Sequence, residues 1–304
     1  MSAIPVITRA EVEHKLSWSA VCDAMEAAHC GPAAQIEDIL IEQGAGKMLS
    51  RAAWVPGIGF GVKTASIVPE NATRGLPTVQ GAMLFFDEET GTPRALIENA
   101  LITKWKTAAD SVLGARFLAR KSAERLLIIG AGDVCASLIE AYPAVLPGIT
   151  TIEVWNRTPA RAEAVCEGTI ATPVTDLPNA VAAADIIATA TLSSEPVLLG
   201  DWLRPGQHVD LIGAFTPTMR EADDAVLRRG NLFVDSRATT LEHIGELKIP
   251  LADGVITTSD VLGDFAEMAQ GKAGRRSEDE ITVFKNGGGA HLDLITAKVI
   301  LDAL

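Results

Sequence analysis

The sequence predicts an α/β protein, a Rossmann-type doubly wound parallel sheet joined to a discontinuous α+β domain. Three observations predict it. Beyond residue 124, short apolar runs alternate with helical stretches, the rhythm of right-handed βαβ units. The first of these units, RLLIIGAGDVCASLIEAY, sets a glycine pair between strand and helix. Before residue 100, by contrast, strand-like runs follow one another with only turn-forming segments between them. The expected boundaries are 1–120 for the first domain, with 281–304 returning to it, and 121–280 for the second.

Residues 9–30 read as an amphipathic helix, or two, beginning at Thr8 or Ser17. Residues 36–42, 48–54, 60–68, 77–86 and 93–98 read as strands, with DEETGTP a hairpin turn between the last two. A helix is expected over 104–120, capped by Thr103, with Ala109, Val112, Leu113 and Phe117 at helical spacing. Its start is unusual. Lys104 and Lys106 then fall in the first turn, where unpaired N–H groups already make a positive pole. A cation there is disfavoured by about 0.3–1 kcal/mol, and an anionic ligand would relieve the conflict. Further along, TTIEVWNR, AADIIATATL, GQHVDLIGAF and GNLFVDSR are buried strands, and TPARAEAVCEG is helical. The final DEITVFKNGGGAHLDLITAKVILDAL is a strand, a glycine turn and an amphipathic helix expected to pack back on the first region.

A chain of 304 residues that is 48% hydrophobic has ample material for two cores. Its net charge of −13 argues against nucleic acid or anionic membranes as partners. The four cysteines form no CxxC pair and the five histidines no HxxxH spacing, so no metal site is expected. The start, MSAIPVITRAEVEHKL, lacks a basic segment followed by a long apolar run, and no run approaches the roughly 18 apolar residues of a membrane span. A soluble, cytoplasmic protein is the expectation.

Gly130 and Gly132 suit a dinucleotide pyrophosphate, the first for the tight turn and the second for close approach of the phosphates, with Ala136 at the third small position. An NAD-specific site ends the next strand with an acid. Here the run is Trp155-Asn156-Arg157-Thr158, with Arg161 a turn later, which favours a 2′-phosphate and hence NADPH, with NADH as the alternative. In FGVKTASIV, Lys63 shares a face with Gly61, Ala65 and Ile67 by the period of two. Desolvation there would lower its pKa and suit it to proton transfer, whereas a lysine snorkelling from a strand end is the bland reading. Arg51, Lys63 and Lys106 together suggest a pocket for a carboxylate.

The run GVKTASIVPENATRGLPTVQGAMLFFDEETGTPRALIENALITKWKTAADS resembles the ornithine cyclodeaminase and mu-crystallin family. GAGDVCAS, EVWNRTPARAEA, GAFTPTMREADD, LFVDS and ITVFKNGGGAHLD continue the resemblance in order, over roughly residues 35–304. It implies an N-terminal substrate-binding and dimerisation domain, an NAD(P) domain, and a homodimer. It implies that Lys63 is the catalytic lysine and that Arg51, Lys106, Thr107 and Gly289 bind substrate. For the cofactor it implies Lys106, Gly130, Gly132, Asp133, Val134, Asn156, Arg157, Thr158, Arg161, Ala190, Thr191, Leu192 and Gly213. Three departures narrow the expected function. Lys106 stands where most members have arginine, a point charge in place of a bidentate fork. Ala214 and Phe215 follow Gly213 where cyclodeaminases carry the acid assigned to deamination, and Val134 replaces a common glutamine. KTAADS resembles the branch that reduces cyclic imino acids, Δ1-pyrroline-2-carboxylate to proline and its six-membered homologue to pipecolate. The alternatives at this point are an ornithine cyclodeaminase, a dehydrogenase of open-chain amino acids such as alanine, and a mu-crystallin-like protein that holds NADPH and a small aromatic acid.

Overall fold

The computed structural model describes residues 4–304; residues 1–3, with which both the expected first domain and the stretch read for a leader begin, lie outside the described residues. In chain order the elements are β1 (Val6–Ile7), α1 (Arg9–Val12), α2 (Trp18–Cys30), β2 (Gln35–Gln43), β3 (Gly46–Val55), β4 (Gly59–Ile67), β5 (Val79–Phe86), β6 (Pro93–Glu98) and α3 (Asn99–Leu118). They continue with β7 (Arg125–Ile129), α4 (Asp133–Val145), β8 (Thr151–Trp155), α5 (Pro159–Cys166), β9 (Thr172–Val174), α6 (Leu177–Ala183), β10 (Ile186–Thr189) and β11 (His208–Leu211). The remainder is α7 (Asp224–Arg229), β12 (Asn231–Val234), α8 (Arg237–Thr240), α9 (Gly245–Ala252), β13 (Val261–Gly263), α10 (Phe265–Ala269), β14 (Thr282–Lys285) and α11 (Ala290–Asp302).

Two compact units emerge. One runs to Lys106 and resumes with Gly289–Leu304; the other is Thr107–Gly288. The first unit holds a mixed sheet in the order β1-β6-β5-β4-β3-β2, antiparallel but for the parallel pair β1–β6. Along β4 the residues Gly59, Gly61, Lys63 and Ala65 are buried, the alternation of a strand with one covered face. Helix α11 packs on β3, β4 and α2, with Leu292, Leu294, Ile295 and Ile300 buried. Strand β2 is the edge of the sheet, and Ile39, Leu40 and Ile41 on it are exposed.

Helix α3 corrects the expected start. It begins at Asn99 rather than beyond Thr103, because Leu101, Ile102 and Trp105 carry the apolar stripe back to the end of β6 and are buried. Lys104 and Lys106 therefore lie in the second turn, clear of the positive pole, and the dipole conflict does not arise. Lys104 instead pairs with Glu13 at 2.8 Å and lies 5.9 Å from the ring centroids of Trp18 and Trp105, which stack 4.0 Å apart.

The second unit holds an eight-stranded parallel sheet in the order β13-β12-β14-β11-β10-β7-β8-β9. Chain direction across the sheet reverses between β7 and β10, the switch point at which doubly wound sheets bind ligands. Strand β14, expected to return to the first region with residues 281–304, pairs instead with β11 and β12 in the interior of this sheet. Its four residues are buried, the pattern of a central parallel strand covered on both faces. The observed divisions fall at 106/107 and 288/289, where 120/121 and 280/281 were expected. A second correction concerns Ala136, which is exposed; the neighbouring Cys135 is the buried residue of the first helical turn.

Candidate functional site

In the first unit the sheet register does the assembling. Asp38 on β2 faces Arg51 on β3, and Arg51 faces Lys63 on β4, so the three side chains share one side of the sheet. Cations directly opposite each other repel, and each here has a carboxylate partner. Arg51 pairs with Asp38 at 2.9 Å, and Lys63 with Asp293 of α11 at 2.6 Å. The Lys63 side chain is 11% exposed and that of Asp293 is 0% exposed. The Oδ2 atom of Asp293 has no hydrogen-bond partner among the described residues.

Burial lowers the Lys63 pKa below the usual lysine value; Asp293 opposes that shift, while Lys106 and Arg51 add to it. Burial would raise the Asp293 pKa, but the pull of Lys63, Lys106 and Arg51 outweighs it and holds the carboxyl below its usual range. One carboxylate thus sits within the field of three cations. Lys106 is itself buried on α3. His291 lies edge-on to His29 at 5.4 Å, and burial pushes its pKa down to about 3, so it stands neutral. Gly289 is buried and N-caps α11 with extended backbone, φ −170°. Thr107 belongs to the second unit, where its carbonyl accepts from Asn286 Nδ2 at 3.1 Å.

In the second unit the expected cofactor residues lie at the carboxyl ends of the parallel strands. Gly130 follows β7 with φ +121°, and a Cβ there would lie 2.4 Å from the Ala190 carbonyl oxygen. The fold therefore requires glycine at 130. Gly132 differs. It is an exposed N-cap of α4 with φ −109°, and a Cβ there would meet nothing within 4 Å. No neighbour in the protein demands glycine at 132, whereas a phosphate seated on the helix N-terminus would. Asp133 is exposed in the first turn, with Val134 half-buried beside it. After β8, Asn156 Nδ2 donates to the Thr158 carbonyl at 2.9 Å, and Arg157, Thr158 and Arg161 are exposed.

Ala190, Thr191 and Leu192 follow β10, and Gly213 follows β11. Glu221, fully buried, ties these two strand ends together. One carboxylate oxygen accepts from Thr191 N at 2.6 Å and Thr191 Oγ1 at 2.9 Å; the other accepts from Gly213 N at 2.6 Å and Ala214 N at 3.2 Å. Among the described residues no group of three His, Cys, Asp or Glu side chains could hold a metal ion, and no helix is long and apolar enough to cross a membrane.

The model of the ornithine cyclodeaminase/mu-crystallin family matches residues 45–304. The chain belongs to this family. Among its relatives is a Δ1-pyrroline-2-carboxylate reductase of Paracoccus denitrificans (strain Pd 1222), 53% identical over 98% of this chain and 96% of that protein. A solved structure of Thermococcus litoralis Δ1-pyrroline-2-carboxylate reductase in complex with NADH and L-proline superposes with a TM-score of 0.91, at 31% identity over 99% of this chain and 97% of that one. An archaeal alanine dehydrogenase dimer with bound NAD superposes with a TM-score of 0.90, at 30% identity over 99% and 95% of the two chains.

Two residues of this family member escaped the sequence reading. Asp293 stands in the largely apolar AHLDLITA, and an acid inside such a helix run is the signal that could have singled it out. Glu221, in TPTMREADD, carries no comparable signal because acids surround it in sequence. The structure also bears on the departure at 214–215. Ala214 is buried and Phe215 is 62% exposed, while the nearby carboxylate of Glu221 is committed to four donors.

Proposed function

We propose that this family member is an NAD(P)H-dependent reductase of cyclic imino acids, converting Δ1-pyrroline-2-carboxylate to proline and Δ1-piperideine-2-carboxylate to pipecolate. The observation that carries this reading is the buried Lys63, held opposite Arg51 and within the field of Lys106. Cations so grouped suit a small, flat anion, and the relative at 53% identity reduces such a compound.

In this reading Arg51 and Lys106 hold the substrate carboxylate, assisted by Thr107 and Gly289. Lys63 donates a proton to the ring nitrogen, so that the electron pair of the C=N bond can settle there. The nicotinamide cofactor supplies the hydride to the imine carbon when bound. Such proton donation contributes roughly 10²–10⁴-fold to a rate. Gly130, Gly132, Asp133 and Val134 take the pyrophosphate side of the cofactor, and Ala190–Leu192 with Gly213 the nicotinamide side. Asn156, Arg157, Thr158 and Arg161 accommodate a 2′-phosphate, because the run offers hydrogen-bond donors and no acid. NADPH is therefore the preferred cofactor, with NADH accepted.

The exposed apolar edge at Ile39, Leu40 and Ile41 fits a homodimer, since such an edge is a site for self-association. The four cysteines are scattered and form no CxxC pair, which suits a reducing compartment such as the cytoplasm.

The test follows NADPH oxidation with pyrroline-2-carboxylate, piperideine-2-carboxylate, and pyruvate plus ammonia, side by side. Rapid oxidation with the cyclic imines and slow oxidation with pyruvate plus ammonia is expected. The Lys63→Ala variant should lose turnover yet still bind NADPH. Ammonia release from ornithine without added reductant would establish a cyclodeaminase in its place.

A further inference from the structure

We infer that Asp293 is a positioning residue for the reduction: from α11, packed on β4, it fixes the Lys63 ammonium and keeps it in its proton-donating form. The inference rests on the cyclic-imine reading and assigns the acid partner that the proton transfer requires.

Burial divides the roles. The Asp293 side chain is 0% exposed, so substrate reaches it only through Lys63, whose side chain retains 11% exposure. Asp293 enters from α11, 230 residues away in sequence, and its Oδ1 accepts from Lys63 Nζ at 2.6 Å. This contact sets where Nζ sits along β4. A lysine side chain otherwise has four rotatable bonds and loses much freedom on being held.

The charge argument is independent of the positional one. Lys63 is buried, and Arg51 on β3 and Lys106 on α3 both disfavour its charge; Asp293 alone among its named neighbours favours it. His291 on the same helix adds no charge near neutral pH, because burial, with the nearby His29 of α2 adding to the shift, pushes its pKa down to about 3. Without the carboxylate, three cations would share a desolvated pocket, and Lys63 is the one that burial already pushes toward the amine.

Proton balance follows. When the N–H bond forms at the ring nitrogen, one Nζ–H bond breaks and Lys63 becomes a neutral amine beside an ionised Asp293. That carboxylate then favours return of a proton from water to Nζ, restoring the ammonium for the next turnover. Asp293 remains ionised throughout.

The experiment uses Asp293→Asn, which keeps shape and removes charge, in the full-length protein. The alkaline limb of the pH profile of kcat/KM, with pyrroline-2-carboxylate and NADPH, should move to lower pH by about 1–3 units, the usual effect of losing an opposite charge within hydrogen-bond reach. The Lys63 13Cε resonance in free, 13C-lysine-labelled protein, assigned by its loss in Lys63→Met, should titrate at correspondingly lower pH. A purely structural Asp293 would lower the rate and the Tm but leave both titrations in place, and that result overturns the inference. If the asparagine variant does not fold, the wild-type resonance decides: an ammonium at pH 7 supports the inference and an amine refutes it. Should the wild type fail to reduce any cyclic imine, the functional reading falls, while the resonance in the free protein still tests the pair.

Discussion

The Gly132→Ala substitution should leave the fold intact and weaken dinucleotide binding, whereas Gly130→Ala should damage the fold itself. At 130 the backbone has φ +121°, and the added Cβ would press to 2.4 Å from the Ala190 carbonyl oxygen. Backbone strain of about 1–3 kcal/mol and overpacking of about 1–3 kcal/mol give a loss of roughly 2–6 kcal/mol. At about 2–4 °C per kcal/mol, the Tm falls by of the order of 10 °C. At 132 the backbone is one that alanine adopts, and the Cβ would enter open space. Reduced freedom of the unfolded chain gains about 0.4–1 kcal/mol. The poorer helix cap costs a similar amount, so stability changes by less than about 1 kcal/mol. A pyrophosphate on that backbone would nevertheless meet the new methyl group. Losing one charge-assisted N–H bond, worth about 1.5–3 kcal/mol, weakens NADPH binding about 10- to 150-fold. Thermal melts and NADPH fluorescence titration read the two quantities separately. If Gly132→Ala bound NADPH with wild-type affinity, no phosphate rests on that turn and the cofactor argument fails.

The Glu221→Gln variant should lose at least one of the four hydrogen bonds that join Thr191 to Gly213 and Ala214. The amide nitrogen would face the Thr191 N–H if turned one way and the Gly213 and Ala214 N–H groups if turned the other, while only the Thr191 hydroxyl can reverse to accept. At about 1.5–3 kcal/mol for a bond to a charged group, urea unfolding should show a loss of at least roughly 1.5–3 kcal/mol, and a change under about 1 kcal/mol would refute the bracing role. Burial raises the Glu246 pKa from 4.5 to about 7, with the neighbouring Glu221 charge adding to the shift. A folded value above the unfolded one means the stabilisation is complete below 4.5 and lost as pH rises through about 7. The unfolding free energy of the wild type minus that of Glu246→Gln should therefore decline across that interval; a difference that rises with pH would contradict the assignment.

The strands of the first sheet and the βαβ rhythm of the second were legible because side-chain periodicity records which face is covered. Lys63 could be placed on the covered face of β4 by counting in twos, and Gly61 and Ala65 beside it are buried as that count requires, whereas Ile67 at the strand end is half-buried. The start of α3 was misplaced because Thr103 is a good cap in isolation, and only the burial of Leu101, Ile102 and Trp105 extends the helix backwards. Strand β14 was assigned to the wrong unit for a related reason. Its apolar residues say that both faces are covered and nothing about which strands lie beside it. Glu221 went unnoticed because the acids around it in sequence leave it no distinguishing mark, and the role of Asp293 did because Lys63, its partner, lies 230 residues away.

By itself the sequence determined the alternation of strands and helices, the glycine turn after β7, and the lack of an acid at the end of β8. Each is a property of neighbouring residues, where sterics and periodicity act over a few positions. Tertiary structure alone decided that Lys63 meets Asp293 and Arg51, that Glu221 bridges two strand ends, and that β14 lies inside the parallel sheet. Those pairings depend on register and on which distant segments share one buried volume, and a one-dimensional pattern of apolar and polar residues carries neither.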